Sequence, residues 1–185
     1  MTTSSALDTA TLAGTWTLDP THSELGFSVR HLMISKVKGF FRTFDVTVVA
    51  GEDPLATTVE ATIDIASVDT NNEMRDGHLK TGDFFLVEEH PTATFVSTSI
   101  AGTPEAFTIT GDFTLRGVTK EIVLNAEFAG VATDAYGNTK AVASATTKIN
   151  RVDFGVNWNA ALEAGGVTLG DEVTITAEIQ LAKTA

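Results

Sequence analysis

The residues best suited to chemistry are Arg75, Asp76 and His78, which lie together in one polar segment of the chain. A histidine near a carboxylate and a guanidinium is a combination that can carry out general acid–base catalysis. However, Asp76 and His78 are two residues apart, and side chains at that spacing on a helix do not share a face. Because buried charges need partners, we expect Arg75 and Asp76 to form a polar cluster with Asp69 and Arg151. We interpret this cluster as structural first, with contact to a ligand head group as the alternative, and His78 as a hydrogen-bonded side chain beside it.

No catalytic or metal-binding motif is present. The stretch 26–30 (GFSVR) lacks the second glycine of a nucleophile elbow. The stretch 165–170 (GGVTLG) has the spacing of neither a dinucleotide fingerprint nor a P-loop. The chain has no cysteine, which excludes thiolate metal sites and a cysteine nucleophile. We therefore predict a protein that is not an enzyme, has no metal site and requires no cofactor.

The composition is acidic, with 12 Lys and Arg against 24 Asp and Glu and a net charge of −12 over 185 residues. Such a chain is repelled by phosphate backbones, and no local basic patch is visible in the sequence, so we expect no nucleic-acid partner. No stretch has the apolar length of a membrane span, so we expect no integral membrane insertion. Residues 1–13 read as a flexible tail without the features of a secretory signal, which predicts a cytoplasmic protein.

Alternation of apolar and polar residues with period two dominates the rest of the chain. It is clear at Leu25, Phe27, Val29 and His31, and it recurs around residues 59–65, 107–115, 122–128 and 173–179. Strands with one apolar face belong to antiparallel sheets, and the short Gly- or Pro-marked breaks between them indicate hairpins. About eight long strands and a short one at Gly14–Leu18 predict an all-β fold. Closure into an antiparallel β-barrel would protect the edges, and we expect one domain over residues 14–183.

One short segment predicts a helix instead of a strand. Thr70-Asn71-Asn72-Glu73 fits a capping box with Thr70 at the N-cap, followed by a helix over Met74–Lys80. This helix has too few apolar residues to belong to the core. We expect it to cap one end of the barrel as a plug or lid.

The predicted interior combines bulky residues with small ones. Phe27, Phe113, Phe128 and Ile175 are bulky, whereas inward positions such as 61, 126, 143, 145 and 177 are alanines. A barrel of eight strands is either just filled by side chains or holds one small ligand. Periodicity leaves both possibilities open.

Several spaced motifs resemble the YceI-like family. They are WTLDPTHS at 16–23, DTNNEMRDGHLK at 69–80, DFF at 83–85, HPTATF at 90–95, GDFTLRGVTK at 111–120 and NRVDFG at 150–155. The resemblance extends from about residue 14 to residue 181. It implies a lipocalin-like, extended eight-stranded antiparallel barrel with a polyisoprenoid, such as an isoprenoid quinone or a polyprenyl chain, in an apolar tunnel. It also implies a homodimer.

We therefore predict that the chain carries or stores a long isoprenoid lipid. The predicted lining residues are Phe27, Val29, Ile63, Phe84, Phe85, Phe113, Leu115, Leu124, Phe128 and Ile175. Three alternatives stay open: a binder of another amphiphile such as a fatty acid, a lipid-modifying enzyme that uses the Arg75/Asp76/His78 cluster, and a barrel with a filled interior.

Overall fold

The structure is a computed structural model that describes residues 12–163 and 165–184. Residues 1–11 of the predicted tail lie outside the described residues. Within the described residues there are eleven strand segments: β1 (Gly14–Leu18), β2 (Glu24–His31), β3 (Ser35–Phe41), β4 (Phe44–Ala50), β5 (Thr58–Asp64), β6 (Val68–Asp69), β7 (Thr92–Thr103), β8 (Ala106–Leu115), β9 (Val118–Thr133), β10 (Thr139–Asn150) and β11 (Leu169–Lys183).

These segments form one closed antiparallel barrel of eight strands, which confirms the predicted architecture. Three barrel strands are interrupted, so β1 continues into β2, β3 into β4, and β5 into β6. The sheet closes because β11 pairs with β10 along one edge and with both β1 and β2 along the other. The predicted short strand Gly14–Leu18 is therefore the first part of a barrel strand.

The interruptions follow from residues that cannot continue a ladder. Pro20 opens a 3-10 turn at Pro20–His22 between β1 and β2, and a proline has no N–H to donate to a neighbouring strand. The preceding Asp19 accepts a hydrogen bond from the backbone N–H of Thr21 and so caps this turn. Asp64 caps a similar turn between β5 and β6.

The barrel has two different ends. At one end, which we call the helix end, lie the β2–β3 turn, residues 70–91, the β8–β9 turn and residues 151–168. At the other end, which we call the turn end, lie the shorter connections 51–57, 104–105 and 134–138. The antiparallel order of the strands places every second connection at the same end.

The helix α1 (Glu73–Leu79) lies at the helix end as predicted, but its N-cap is Asn72 and not Thr70. The Asn72 side chain accepts a hydrogen bond from the backbone N–H of Arg75. The Thr70 hydroxyl instead donates to the carboxylate of Asp76 and accepts from the Arg75 side chain. The helix begins at Glu73 and ends one residue before Lys80.

The predicted phase of the strands is correct. The residues expected to face inward on β2, β5, β9 and β11 all lie against the interior of the barrel. A large cluster of buried side chains around Ile65, Phe113 and Phe154 lies towards the helix end. A smaller cluster surrounds Trp16 towards the turn end. Val59 and Ala61 pack against both clusters.

Candidate ligand-binding tunnel

A cavity of about 610 Å³ runs through the barrel. Leu55 and Pro104 line it at the turn end, and His78 and Trp158 line it at the helix end. Its volume lies within the range of about 300–1,000 Å³ that is typical of ligand sites. Because the cavity reaches both ends of a barrel with strands of 12 to 16 residues, its shape is a tunnel.

The tunnel stays open at its middle because of a row of alanines. Ala126, Ala145 and Ala177 lie directly opposite one another on β9, β10 and β11, and all three line the tunnel. A methyl group projects only a short way from the sheet, so three adjacent alanines leave a gap that larger side chains would fill. The filled barrel, which the sequence left open, is thereby excluded.

All ten residues predicted to line the interior do so. They are spread along the tunnel, because they come from β2, β5, β8, β9, β11 and the loop after α1. Phe84, Phe113 and Leu115 are buried, so they also belong to the packed core. Whether these ten side chains bind a ligand stays a prediction.

An aromatic collar surrounds the tunnel near the helix end. Its members are Phe27, Phe41, Phe84, Phe85, His78 and Trp158. Ring centroids lie 5.4 Å apart in the pair Phe27–Phe41 and 5.3 Å apart in the pair Phe84–Trp158. Gly39 lies behind Phe27, and a Cβ there would collide with the ring, so this glycine sets the position of one side of the collar.

Thr70 joins Arg75 and Asp76 at the edge of the collar. The Thr70 hydroxyl donates to Asp76 and accepts a hydrogen bond from Arg75 Nε at 2.7 Å. Arg75 Nη2 also donates to the backbone carbonyl of Thr70, at 2.8 Å. Arg75 and Thr70 line the tunnel. The guanidinium is therefore fixed at the tunnel wall and supplies a positive charge there.

His78 is separated from Asp76, as the spacing on the helix predicted. Its Nε2 lies 2.7 Å from Asp83 Oδ2, and its ring contacts the rings of Phe84 and Trp158 edge to face. This histidine therefore combines a polar contact outside the tunnel with an aromatic surface that lines it.

Arg151 is a buried clamp at the helix end and is 5% exposed. Its guanidinium donates to the carbonyls of Gly170, Val156 and Trp158 at 2.8–2.9 Å. Nη2 has no hydrogen-bond partner in the described residues and lies 3.6 Å from an oxygen of Asp171. Burial lowers the pKa of Arg151, although the Asp171 carboxylate acts in the opposite direction. The clamp holds Trp158 at the tunnel.

The prediction of one polar cluster is wrong in part. Asp69 pairs with Arg42 at 2.9 Å, and the backbone N–H of Asn71, followed by this guanidinium, lowers the pKa of Asp69. Arg151 is occupied by carbonyls and by Asp171. Only Arg75 and Asp76 come together, through Thr70. The reason is that both carboxylate oxygens of Asp69, the last residue of β6, accept hydrogen bonds elsewhere, from Arg42 Nε and from the backbone N–H of Asn71.

Several lining residues were missed by sequence reasoning. Phe41, Phe44, Phe95, Phe107, Trp16 and Trp158 all line the tunnel. Phe107 follows the alternation of β8 and was recognisable from it. Trp158 lies in a loop without periodicity, so no sequence pattern placed it there. Arg116 was also missed; it donates to the carbonyls of Phe84 and Gly155 and so ties together two segments of the helix end.

The described residues contain no group of three or more His, Asp or Glu side chains placed to hold a metal ion. In the same part of the chain, every helix is too short or too polar to cross a lipid bilayer.

Comparison with known sequences gives close relatives over most of the chain. A UPF0312 protein of Staphylococcus aureus is 41% identical over 167 residues, which are 89% of this chain and 95% of the relative. A UPF0312 protein of a second strain of this organism is 40% identical over the same shares of the two chains.

Comparison with solved structures gives the same fold. The YceI protein of Campylobacter jejuni has a TM-score of 0.70 and 35% identity, and the match covers 91% of this chain and 97% of that one. BcnA of Burkholderia cenocepacia has a TM-score of 0.76 at 23% identity, over 88% and 98% of the two chains. A polyisoprenoid-binding domain from Saccharophagus degradans has a TM-score of 0.68 at 16% identity, over 91% and 98%. These last two show the fold alone.

The family model for the YceI-like domain matches residues 16–181. This range contains all eleven strands except the first two residues of β1 and the last two of β11. The chain therefore belongs to the YceI-like domain family.

Proposed function

We propose that the protein binds one long isoprenoid chain inside the tunnel and carries or stores it. The observation that supports this most is the continuous apolar cavity with an alanine row at its middle. The similar fold of the Saccharophagus degradans polyisoprenoid-binding domain adds support. The proposed cargo is an isoprenoid quinone or a polyprenyl lipid.

A tunnel of this kind gains affinity from length. Each buried CH₂ group contributes about 0.8 kcal/mol. Association itself costs about 4–15 kcal/mol, so a chain of several isoprene units is needed before binding becomes favourable. Contacts of this type are not directional, which agrees with a lining that is mainly aliphatic and aromatic.

The head group is placed at the helix end in this proposal. Arg75 supplies a positive charge there, and the collar supplies aromatic faces and edges against which a flat ring can pack. At the turn end the tunnel is lined by Leu55, Thr103 and Pro104, and no charged side chain of residues 12–163 or 165–184 lines it there. The apolar tail would therefore extend towards the turn end.

The first experiment identifies what the protein holds after purification without detergent. Native mass spectrometry, followed by solvent extraction and lipid mass spectrometry, is expected to show one prenyl lipid per chain. A fatty acid in its place would support the alternative amphiphile. A tunnel that stays empty and takes up no quinone or polyprenol from added lipid would contradict the proposal.

The substitution Ala145→Phe tests the tunnel directly. A phenyl ring in the alanine row would block the tunnel at its middle, and bound prenyl lipid should fall by at least about tenfold, with a cost in stability of roughly 1–3 kcal/mol. The matched control is Val142→Phe on the same strand, because Val142 is an exposed residue that does not line the tunnel. Equal lipid content in both variants would contradict the proposed site.

The substitution His78→Ala separates binding from catalysis. A carrier or store should keep most of its lipid in this variant, because His78 contributes only one face of the collar. A variant that keeps the lipid but accumulates a chemically different form of it would instead support the lipid-modifying enzyme.

A further inference from the structure

The β2–β3 turn exposes three consecutive apolar side chains at the helix end. Leu32, Met33 and Ile34 are 41%, 59% and 86% exposed. Large apolar side chains placed together at the tip of a hairpin are costly to leave in water and mark an interaction site. We call these three residues the apolar tip.

The backbone of the apolar tip is held in an unusual conformation. Leu32 and Met33 have φ values of 52° and 60°, in the left-handed region that favours glycine and asparagine. The N–H of Leu32 donates to the carbonyl of Thr168, and the N–H of Ile34 donates to that of His31. A strained turn that carries apolar side chains in place of Asn-Gly supports a function for those side chains.

Next to the tip, four cations cluster on the outer wall of the barrel. They are Arg30, Lys36, Lys38 and Lys148, all exposed. Arg30 on β2 lies opposite Lys36 on the neighbouring strand β3. Lys38 also lies on β3, and Lys148 lies on β10, on the far side of the adjacent pair β2 and β11. The expectation that the chain has no local basic patch is therefore wrong, because cross-strand pairing gathers cations from separate parts of the sequence. We call these four residues the basic patch.

The basic patch contains a small polar notch of about 120 Å³. Arg30, Lys36 and Lys148 line it together with Ser28, Thr174 and Glu172. Glu172 pairs with Lys148 at 3.2 Å and is, in the described part of the chain, the one carboxylate that lines the notch. Three cations against one carboxylate give the notch a positive charge, although the chain as a whole carries −12.

We propose that the apolar tip and the basic patch together dock the protein on a bilayer that contains anionic phospholipids. Lys and Arg near such a surface attract it, and apolar side chains beside them enter the interfacial region. The acidic remainder of the chain is repelled but is screened beyond about 8 Å at physiological salt. The tip is also next to the tunnel, since His31 and Thr168 line it.

This inference goes beyond the proposed function, because docking depends on the outer surface and not on the cargo. An apolar tip beside the cations favours a bilayer over a nucleic acid, which would contact the cations alone. A second copy of the chain is the other possible occupant of the tip.

The test is co-sedimentation with vesicles of phosphatidylcholine alone or with phosphatidylglycerol. The wild-type chain should bind the anionic vesicles more tightly, and the affinity should fall as salt is raised. Lys36→Glu and Ile34→Asp should each weaken binding by roughly tenfold. Lys120→Glu, an exposed cation on β9, and Tyr136→Asp, at the turn end and 91% exposed, are the controls and should change binding less than about twofold.

The melting temperatures of the four variants are also measured, to show that each variant is folded. If Ile34→Asp is unfolded, the vesicle binding of Lys36→Glu alone decides the test. The proposal is overturned if the wild-type chain does not bind anionic vesicles at low salt, or if the controls lose as much binding as the tests. It is also overturned if Ile34→Asp instead converts a dimer into a monomer by light scattering. Binding to a DNA duplex without binding to vesicles would assign the patch to a different partner.

Discussion

Each end of the barrel is stabilised by a buried charged side chain, and the charge is opposite at the two ends. At the helix end the buried cation Arg151 collects the carbonyls of Gly170, Val156 and Trp158. In the half towards the turn end the buried carboxylate of Asp19 accepts a hydrogen bond from Lys140 Nζ at 2.8 Å. Each group lies where regular strand pairing is interrupted.

Asp19 has further partners close to it in sequence. It accepts from the hydroxyl of Thr21 at 2.6 Å and lies 2.9 Å from Nδ1 of His22. The hydrogen bond from Lys140, followed by those from Thr21 and His22, holds the pKa of Asp19 well below its ordinary value.

The difference between the ends follows from the lengths of their connections. Residues 151–168 form a long connection, and one guanidinium accommodates the carbonyls of Val156 and Trp158 within it together with that of Gly170 in β11. The break between β1 and β2 is short, so one carboxylate is enough to join it to β10. The long connection brings Trp158 to the tunnel, whereas the short break only closes the wall.

The largest effect is expected for Arg151→Met. Removal of the guanidinium leaves three carbonyls without their donor, each worth about 1–3 kcal/mol, so the free energy of unfolding should fall by about 3 kcal/mol or more. Urea unfolding is followed by the fluorescence of Trp158. Because the chain has 2 tryptophans, all proteins compared carry Trp16→Phe, which removes the fluorescence of the other one. The control Lys148→Met removes an exposed cation and should cost less than about 1 kcal/mol. A similar loss in both variants would contradict the clamp.

A smaller effect is expected for Asp19→Asn, at about 2 kcal/mol near neutral pH. Because the pKa of Asp19 is lowered in the folded state, its contribution is present above the unfolded pKa of about 3.9 and is lost as the pH falls below that value. Thermal unfolding of wild type and variant from pH 7 to pH 2.5 should therefore converge at acid pH.

The matched control for Asp19 is Asp53→Asn. Asp53 also precedes a proline and caps a 3-10 turn, but it is exposed and no cation pairs with it among the described residues. Its substitution should cost less than about 1 kcal/mol at every pH. An equal cost at both positions would show that the contact with Lys140 adds nothing to what the exposed Asp53 contributes.

The smallest effect is expected from substitutions that test which end of the tunnel binds the head group. Arg75→Gln should weaken binding of a polyprenyl phosphate by roughly tenfold and leave binding of a polyprenol within about twofold. Thr103→Val at the turn end should not distinguish the two ligands. Competition against a fluorescent prenyl probe measures both. Selectivity that depends on Thr103 and not on Arg75 would reverse the proposed orientation.

The wall of the tunnel was predictable, and the closure of its ends was not. Period-two alternation placed Phe27, Leu124 and Ile175 inside, because the pleat sends successive side chains to opposite faces. Trp158 and Arg116 lie outside that pattern. The position of Arg116 depends on hydrogen bonds to carbonyls more than thirty residues away, and that of Trp158 depends on Arg151, which also binds Gly170 of β11; neither contact leaves a local signal.

The sequence by itself determined the strands, their inward faces and the presence of alanines where a filled barrel would need larger residues. These features are local, since they follow from alternation, turn residues and side-chain volume. The tertiary structure decided which alanines lie side by side, that Arg151 binds carbonyls and not Asp76, and that Arg30, Lys36, Lys38 and Lys148 form one patch. Strand register sets these neighbours, and register is a property of paired strands that no single segment contains.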